Sequence, residues 1–256
     1  MRALLSVLLL APALLWAHEE GPVEGHRSGR INCQQLVADE FACQRIDLLS
    51  HISIDALQAG SSANDIWGWT DALSGREYVL IGTFLGTVFI DISNPETPVR
   101  LGLLRGHDEL VCLNRTGEHD DSEGCAEGSA WRDVKVYADH AFIVSEANGH
   151  GMQVFDLTEL RDVTSPQDFR ETAWYNQFGS AHNIAINEQT GFAYAVGSDT
   201  YLGGPHFIDI SDPAAPRAAG GYSGDGYTHD AQCVIYAGPD ADYSGKEICF
   251  LSNEDT

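Results

Sequence analysis

The chain has 256 residues and a formal net charge of −24, with 38 Asp and Glu against 14 Lys and Arg. A nucleic-acid-binding face neutralises phosphates with Lys and Arg, so this composition excludes nucleic acid as a partner and, in the same way, anionic membranes. An acidic surface stays soluble by self-repulsion and offers sites for cations.

The first residues resemble an export signal. Arg2 is followed by an apolar run over 3–17 that is too short for a membrane span. We therefore predict a secretory signal at 1–17, with an uncleaved anchor as the alternative. Residues 18–32 are polar and Gly-rich and are expected to form a flexible lead-in. The mature chain should then be secreted or extracellular, without a membrane span.

A DISxPxxP phrase occurs at residues 91–98 and again at 209–216. Each copy follows an aromatic and β-branched segment of the kind that forms strands. A third, divergent copy runs into Asp156, Leu157 and Thr158 without the two prolines. The chain is therefore predicted to be built from repeats that each close a hydrophobic hairpin.

The strands of the repeats follow from these phrases. Second strands are predicted at 78–84, 141–146 and 192–197. The first strands are predicted to begin at Asp65, Asp133, Asn183 and Asp230, which are 68, 50 and 47 residues apart. A four-stranded propeller blade takes about 40–50 residues, and an insertion at 106–128 explains the longer first interval. The fold class is therefore predicted to be all-β, a β-propeller of four-stranded blades, in preference to a helical solenoid or a β-sandwich.

The fourth repeat contains only two predicted strands, near 232–236 and 247–251. Residues 33–256 would then form a partial propeller of about three and a half blades, which cannot close a ring without exposed edges. We expect the sequence to be the front portion of a longer protein, truncated at its C-terminal side.

Six cysteines fit an exported protein. Many pairings are open, and local bridges are preferred because one pair falls on neighbouring strands of a hairpin and another ties off the insertion. The expected bridges are Cys33–Cys43, Cys112–Cys125 and Cys233–Cys249.

Antiparallel pairing brings the start of a first strand and the end of a second strand to the same end of a blade. Polar and aromatic residues at these places should therefore gather at one mouth of the ring. The predicted binding residues are Asp65, Trp67, Trp131, Asp133, Glu146, His150, His182, His206, His229, Asp230 and Glu254.

Imidazoles and carboxylates that converge from several blades can hold a divalent cation. His182, His229 and Asp133 would suit Zn²⁺, whereas Asp65, Asp133 and Glu254 would favour Ca²⁺. A divalent cation, Ca²⁺ or Zn²⁺, is the one cofactor that these residues suggest. The alternative is that Asp and His at strand openings bond neighbouring backbone amides and fasten the blades together.

Five segments resemble the choice-of-anchor B family of LVIVD-repeat proteins: 64–70 (NDIWGWT), 131–137 (WRDVKVY), 149–156 (GHGMQVFD), 181–184 (AHNI) and 227–233 (YTHDAQC). The resemblance runs from about Cys33 to the last residue. It implies an exported bacterial β-propeller whose relatives carry differing C-terminal anchors beyond further repeats. It supplies no catalytic residue.

The leading functional hypothesis is an extracellular, surface-associated binding or scaffold protein. Its recognition face would be the propeller mouth or its rim, with or without a cation on the axis, and its partner a cell-surface protein or glycan. The alternative is a metal-dependent hydrolase or lyase in which the cation activates water and His182 or His229 transfers protons. A purely structural envelope component is the third hypothesis. No complete catalytic motif is present, which favours binding over catalysis.

Overall fold

The structure is a computed structural model that describes residues 25–107 and 128–254. In these two ranges it has one α-helix, α1 (Ile54–Leu57), and two 3-10 helices, Leu157–Asp162 and Tyr201–Gly203; the rest is strand, turn and loop. The predicted all-β class is therefore confirmed. No helix within these ranges is long and apolar enough to cross a membrane. The predicted signal and the Cys112–Cys125 bridge lie outside the described residues.

The first described residues form two small antiparallel pairs of strands. β1 pairs with β4 and β2 with β3, and the Cys33–Cys43 disulfide is formed within this segment as predicted. The four strands are β1 (His26–Ile31), β2 (Val37–Ala38), β3 (Phe41–Ala42) and β4 (Leu48–Ile52).

Strand β1 lies in the segment predicted to be a flexible lead-in, so the structure differs from the sequence prediction here. The side chains of β1 are exposed or half-buried, and no apolar alternation marks the strand. It is held by pairing with β4, by bonds from Arg30 to Asp47 and Glu96 of 3.1 and 3.2 Å, and by the Gly29 amide, which donates to the Glu96 carbonyl. Backbone pairing and ion pairs order this strand without leaving a hydrophobic pattern.

Three antiparallel sheets and a hairpin follow along the chain. The first sheet contains β5 (Ala63–Thr70), β6 (Glu77–Thr83), β7 (Gly86–Asp91) and β8 (Val99–Arg105). The second contains β9 (Arg132–Tyr137), β10 (His140–Ser145), β11 (Met152–Asp156) and, beyond the intervening β12 (Gln167–Phe169), β13 (Ala173–Tyr175). The third contains β14 (Asn183–Asn187), β15 (Phe192–Val196), β16 (His206–Asp209) and β17 (Arg217–Gly221), and the hairpin is β18 (Thr228–Ile235) with β19 (Glu247–Asn253).

The repeated phrase makes the same local structure in each sheet. After the third strand, the aspartate carboxylate accepts a hydrogen bond from the amide two residues later, at 2.8 Å from Asp91 to Ser93 and 3.0 Å from Asp209 to Ser211. The divergent copy does the same, with the Thr158 amide 2.9 Å from Asp156. Such aspartate-closed turns satisfy a backbone amide at the end of a strand. The predicted repeat is therefore confirmed at the level of individual hydrogen bonds.

Successive sheets pack against each other, and their first strands lie side by side in the order β5, β9, β14, β18. Phe89 of the first sheet meets Phe155 of the second, with ring centroids 4.8 Å apart in a fully buried cluster. Val154 of the second sheet and Ile208 of the third share the next cluster. Burying each such side chain stabilises the fold by about 1.5–3 kcal/mol. The described residues form no closed ring of sheets.

Strand β12 joins the first sheet rather than the second. It pairs in parallel with β8, opposite Gly102, and the chain then returns to form β13 in its own sheet. A Cβ at Gly102 would stand 2.0 Å from the carbonyl oxygen of Gln167, so only glycine permits this approach. The fifth strand thus ties the outer edge of the first sheet to the second repeat.

Candidate functional site

The mouth pocket is a cavity of about 520 Å³ at the end of the sheets where the first strands begin and the second strands end. Seven of the eleven predicted binding residues line it, from all three sheets and the hairpin. The residues that line the pocket are Asn64, Asp65, Trp131, Asp133, Glu146, His182, Asn183, Tyr227, His229 and Glu254. The antiparallel arrangement that motivated the prediction therefore brings these residues together.

Two predicted residues, Trp67 and Asp230, lie further along the first strands. Both line a second, smaller cavity of about 190 Å³. Trp67 is two residues beyond Asp65 on the same strand and stacks under the ammonium of Lys135, 4.6 Å from the ring centroid. A register irregularity between Thr228 and Asp230 offsets the start of β18.

His150 and His206 are buried away from the mouth pocket. His206 opens a third strand, not a first one, so it lies among the packed faces and bonds Tyr175 and Thr200 at 2.7 and 2.9 Å. His150 Nδ1 donates to the Gly151 carbonyl, which leaves Nε2 to accept from the guanidinium of Arg132 at 2.6 Å. Burial, followed by the charge of Arg132, holds the pKa of His150 well below its ordinary value.

Side chains at the openings of the first strands connect neighbouring sheets. Asp65 accepts from the Val134 amide at 3.0 Å, and Asp133 accepts from the Ile184 amide at 2.8 Å. Asn183 continues the series by donating to Asp230 at 3.2 Å. This is the fastening role that the alternative interpretation of these residues predicts, and it is played by residues that also line the mouth pocket.

Asp65 and Asp133 form a carboxylate pair around Lys135. The ammonium lies 2.6 Å from Asp133 Oδ1 and 3.5 Å from Asp65 Oδ2. Burial, together with the neighbouring carboxylate of Asp65, raises the pKa of Asp133 to about 7. Burial also acts to raise the pKa of Asp65, but hydrogen bonds with Asp133 and the Val134 amide outweigh it, and the pKa is lowered. One wall of the pocket thus carries a carboxyl that holds its proton up to near neutral pH.

A second polar group in the mouth pocket joins residues of three elements. Glu146 Oε1 lies 2.5 Å from Nδ1 of His182, and Nε2 of His182 lies 3.1 Å from Nε2 of His229. The rings of Trp131 and Tyr227 flank His182, with centroid distances of 6.0 and 6.4 Å. Tyr227 was not among the predicted binding residues. It belongs to the segment 227–233 but directly precedes β18, and only residues at strand openings and exits were selected.

The predicted zinc set of His182, His229 and Asp133 is not assembled as a triad. Both carboxylate oxygens of Asp133 are engaged, one by Lys135 and the other by the Ile184 amide. In the described part of the chain, no group of three or more His, Cys, Asp or Glu side chains is arranged to hold a metal ion. Two imidazole nitrogens remain together in the pocket.

The mouth pocket depends on the hairpin for His229 and Glu254. Cys233 and Cys249 are cross-strand partners in this hairpin and form the predicted disulfide. The hairpin packs on the third sheet through a cluster that contains Cys233 and Tyr194. The disulfide therefore holds together the element that completes one side of the pocket.

Comparison with known families matches residues 178–223 to the LVIVD repeat. The match spans the third sheet from β14 to β17 together with the residues just before it. The comparison with curated proteins gives no match.

Proposed function

We propose that the chain is an exported β-propeller of the choice-of-anchor B type that binds a cell-surface ligand in its mouth pocket. The LVIVD match over the third sheet supports the propeller, because the first and second sheets repeat its strand order and its aspartate-closed turns. The series of adjacent first strands is the arrangement that blades adopt around an axis. Disulfides at Cys33–Cys43 and Cys233–Cys249 are compatible with an oxidising, extracellular environment.

The observation that carries the proposal is the composition of the mouth pocket. Three of its carboxylates, Asp65, Glu146 and Glu254, come from different elements, and no Lys or Arg is found among its described lining residues. Carboxylates accept hydrogen bonds from hydroxyl and ammonium groups and repel anions. Trp131 is 50% exposed and offers an aromatic face at the same place. These groups favour a glycan with hydroxyl and amine substituents.

A binding experiment with the full chain tests this proposal. Immobilised neutral, amine-bearing and acidic glycans are presented to the wild-type protein, and affinities are then measured by calorimetry. We expect amine-bearing glycans to bind best, and the Trp131→Ala variant to bind about tenfold more weakly, because an aromatic contact contributes roughly 1.5 kcal/mol. Tyr243→Ala, at an exposed aromatic residue in the β18–β19 connection, is the matched control. Equal affinity of the Trp131→Ala variant and the wild type would refute the proposed site.

A metal-dependent hydrolase or lyase is the second candidate function. The supporting observation is that Asp133, with a pKa raised to about 7, shares the pocket with two imidazoles. A group that titrates near the working pH is suited to general acid–base catalysis. This function predicts that the His182→Ala/His229→Ala double variant loses turnover of glycan esters while it stays folded. Turnover that persists in the double variant excludes these residues from the chemistry.

A further inference from the structure

Two histidines from different elements meet in the mouth pocket. His182 directly precedes β14 of the third sheet, and His229 belongs to β18 of the hairpin. Their Nε2 atoms are 3.1 Å apart, the ring centroids are 4.3 Å apart, and the ring planes are inclined by 55°. The centroids are little further apart than the nitrogens, so the rings lie side by side and not end to end. The two nitrogens therefore stand next to each other at the cavity.

This spacing matches that of two ligands on one ion. Two imidazole nitrogens, each about 2.0–2.1 Å from a tetrahedral zinc ion, are about 3.3 Å apart. An aligned N–H···N hydrogen bond, the simplest alternative, gives nearly the same separation of the nitrogens, and the metal titration distinguishes the two arrangements. On metal binding the two rings would turn apart from their 4.3 Å centroid separation, because two imidazoles on one tetrahedral ion have centroids about 5 Å apart.

Glu146 fixes the protonation of His182 in the way that metal sites require. Its carboxylate oxygen lies 2.5 Å from Nδ1 of His182. An ionised carboxylate only accepts hydrogen bonds, so Nδ1 carries the proton and Nε2, beside Nε2 of His229, keeps its lone pair. Histidines that ligate metals commonly donate their other ring nitrogen to a carboxylate, which sets the ring orientation and raises ligand basicity.

We propose that His182 and His229 bind one transition-metal ion of the zinc or copper class through their Nε2 atoms, with Glu146 as the residue that orients His182. The remaining coordination positions face the cavity and are filled by water or by a donor group of the bound ligand. This inference rests on the proposed function, since it places the ion in the pocket that receives the ligand.

The donor set selects the class of metal. Imidazole nitrogens suit zinc, copper and nickel, whereas calcium takes six to eight oxygen ligands. Asp133, which the sequence suggested as a third ligand, is held by Lys135 and the Ile184 amide and stays outside the site. The carboxylates that line the pocket add a negative potential that favours any cation.

Metal titration of the full chain tests the inference without any organic ligand. The protein is dialysed against a chelator, then titrated with Zn²⁺ by calorimetry and with Cu²⁺ by electron paramagnetic resonance. We expect one tight ion per chain, nitrogen hyperfine coupling from two imidazoles, and no competition from Ca²⁺. Glu146→Gln, which keeps an acceptor for Nδ1, should weaken binding about 10–100-fold. His182→Ala and His229→Ala should each weaken it more, and His140→Ala, at a half-buried histidine on β10, should not.

Two results of this titration would contradict the proposed metal site. Copper that binds the two alanine variants as tightly as the wild type, or a spectrum without coupling to two nitrogens, overturns the metal site. Urea unfolding of each variant shows whether it folds, and if an alanine variant does not, the Glu146→Gln variant decides the question. Glycan binding by the metal-free wild type tests the pocket separately. If it persists while the metal site fails, only the metal inference falls.

Discussion

The carboxylate of Asp133 accepts a hydrogen bond from the backbone amide of Ile184 at 2.8 Å. Asp133 lies near the start of β9 in the second sheet, and Ile184 lies near the start of β14 in the third sheet. The bond therefore joins two successive sheets. Asp65 makes the equivalent bond to Val134 one repeat earlier. The side chains that fasten the sheets are thus also walls of the mouth pocket. Stability and binding share residues here, and variants must be chosen to separate the two.

Asp133→Ala should destabilise the fold, because it leaves the Ile184 amide with Asn183 Oδ1 as its acceptor and Lys135 with the more distant Asp65 carboxylate. Each hydrogen bond lost in this way costs about 0.5–1.5 kcal/mol. Urea unfolding followed by fluorescence measures this loss as a lower midpoint with an unchanged slope. Asp212→Ala, at an exposed turn position, is the control and should stay within about 0.5 kcal/mol of the wild type. Equal midpoints for both variants would contradict the fastening role.

The raised pKa of Asp133 predicts a particular pH dependence. In the folded state this carboxyl keeps its proton up to about pH 7, whereas in the unfolded chain it loses the proton above its ordinary pKa of 3.8. The folded state therefore binds more protons in this window, and the contribution to stability is lost as pH rises through it. Asp133→Asn removes this titration and keeps the size of the side chain, and the same pH series is measured on the wild type.

The measured quantity is the free energy of unfolding of wild type minus that of Asp133→Asn at each pH. This difference should fall as pH rises between pH 4 and 7, with a slope of at most about 1.4 kcal/mol per pH unit, the value for one proton. A difference that is flat, or that rises with pH, would show that the carboxyl is ionised throughout the window.

Gly102 and Gly220 allow the added strand β12 to be tested with a matched pair. They occupy equivalent positions, opposite Phe89 and Phe207, and both have positive φ, +155° and +115°. A Cβ at Gly102 would meet the Gln167 carbonyl at 2.0 Å, whereas a Cβ at Gly220 would meet nothing within 4 Å. Gly220→Ala should therefore cost about 1 kcal/mol of backbone strain and Gly102→Ala distinctly more.

Hydrogen exchange at the amides of residues 167–169 distinguishes backbone strain from a clash with β12 as the cause of the lost stability. Gly102→Ala should expose these amides and Gly220→Ala should leave them protected. If both variants lose the same stability and keep the same protection, the close approach of β12 to β8 is not what requires glycine.

The sequence predicted most of the strands and most of the mouth pocket, because the strands follow from local composition and the pocket follows from antiparallel pairing. Second strands such as 78–84 are apolar and β-branched, and antiparallel pairing then brings Glu146 and His182 to one end. The expectation that residues at strand starts and ends line the pocket failed where the side chain of a loop residue points into the protein interior. His150 follows a second strand, as expected, but it is buried because it accepts from the buried guanidinium of Arg132. No local sequence pattern shows which loop histidine will form a hydrogen bond with a buried arginine.

Two strands were missed for a different reason. β1 and β12 are stabilised by backbone pairing and carry little apolar alternation. Their partners, β4 and β8, lie elsewhere in the chain, so pairing depends on tertiary structure that a local pattern does not contain. His206 lies outside the pocket because it opens a third strand, a distinction that the residue type alone does not make.

The Cys233–Cys249 disulfide should matter for the pocket as well as for stability. It closes a loop with a sequence separation of 16 residues, for which chain entropy gives about 3 kcal/mol. The Cys233→Ser/Cys249→Ser variant should lose about this much in urea unfolding and should also bind ligand more weakly, because the hairpin supplies His229 and Glu254. Cys33→Ser/Cys43→Ser, in the N-terminal segment, is the control and should keep wild-type affinity. Weakened binding in the control alone would place the ligand near the N-terminal strands instead.

The most direct measurement is a crystal structure of the full chain with the best glycan from the binding experiment. We predict ligand density in the mouth pocket, with a sugar face on Trp131 and hydroxyl or amine groups within hydrogen-bond distance of Glu146 or Glu254. Density on the outer strands, or in the smaller cavity beside Trp67 with an empty mouth pocket, would contradict it.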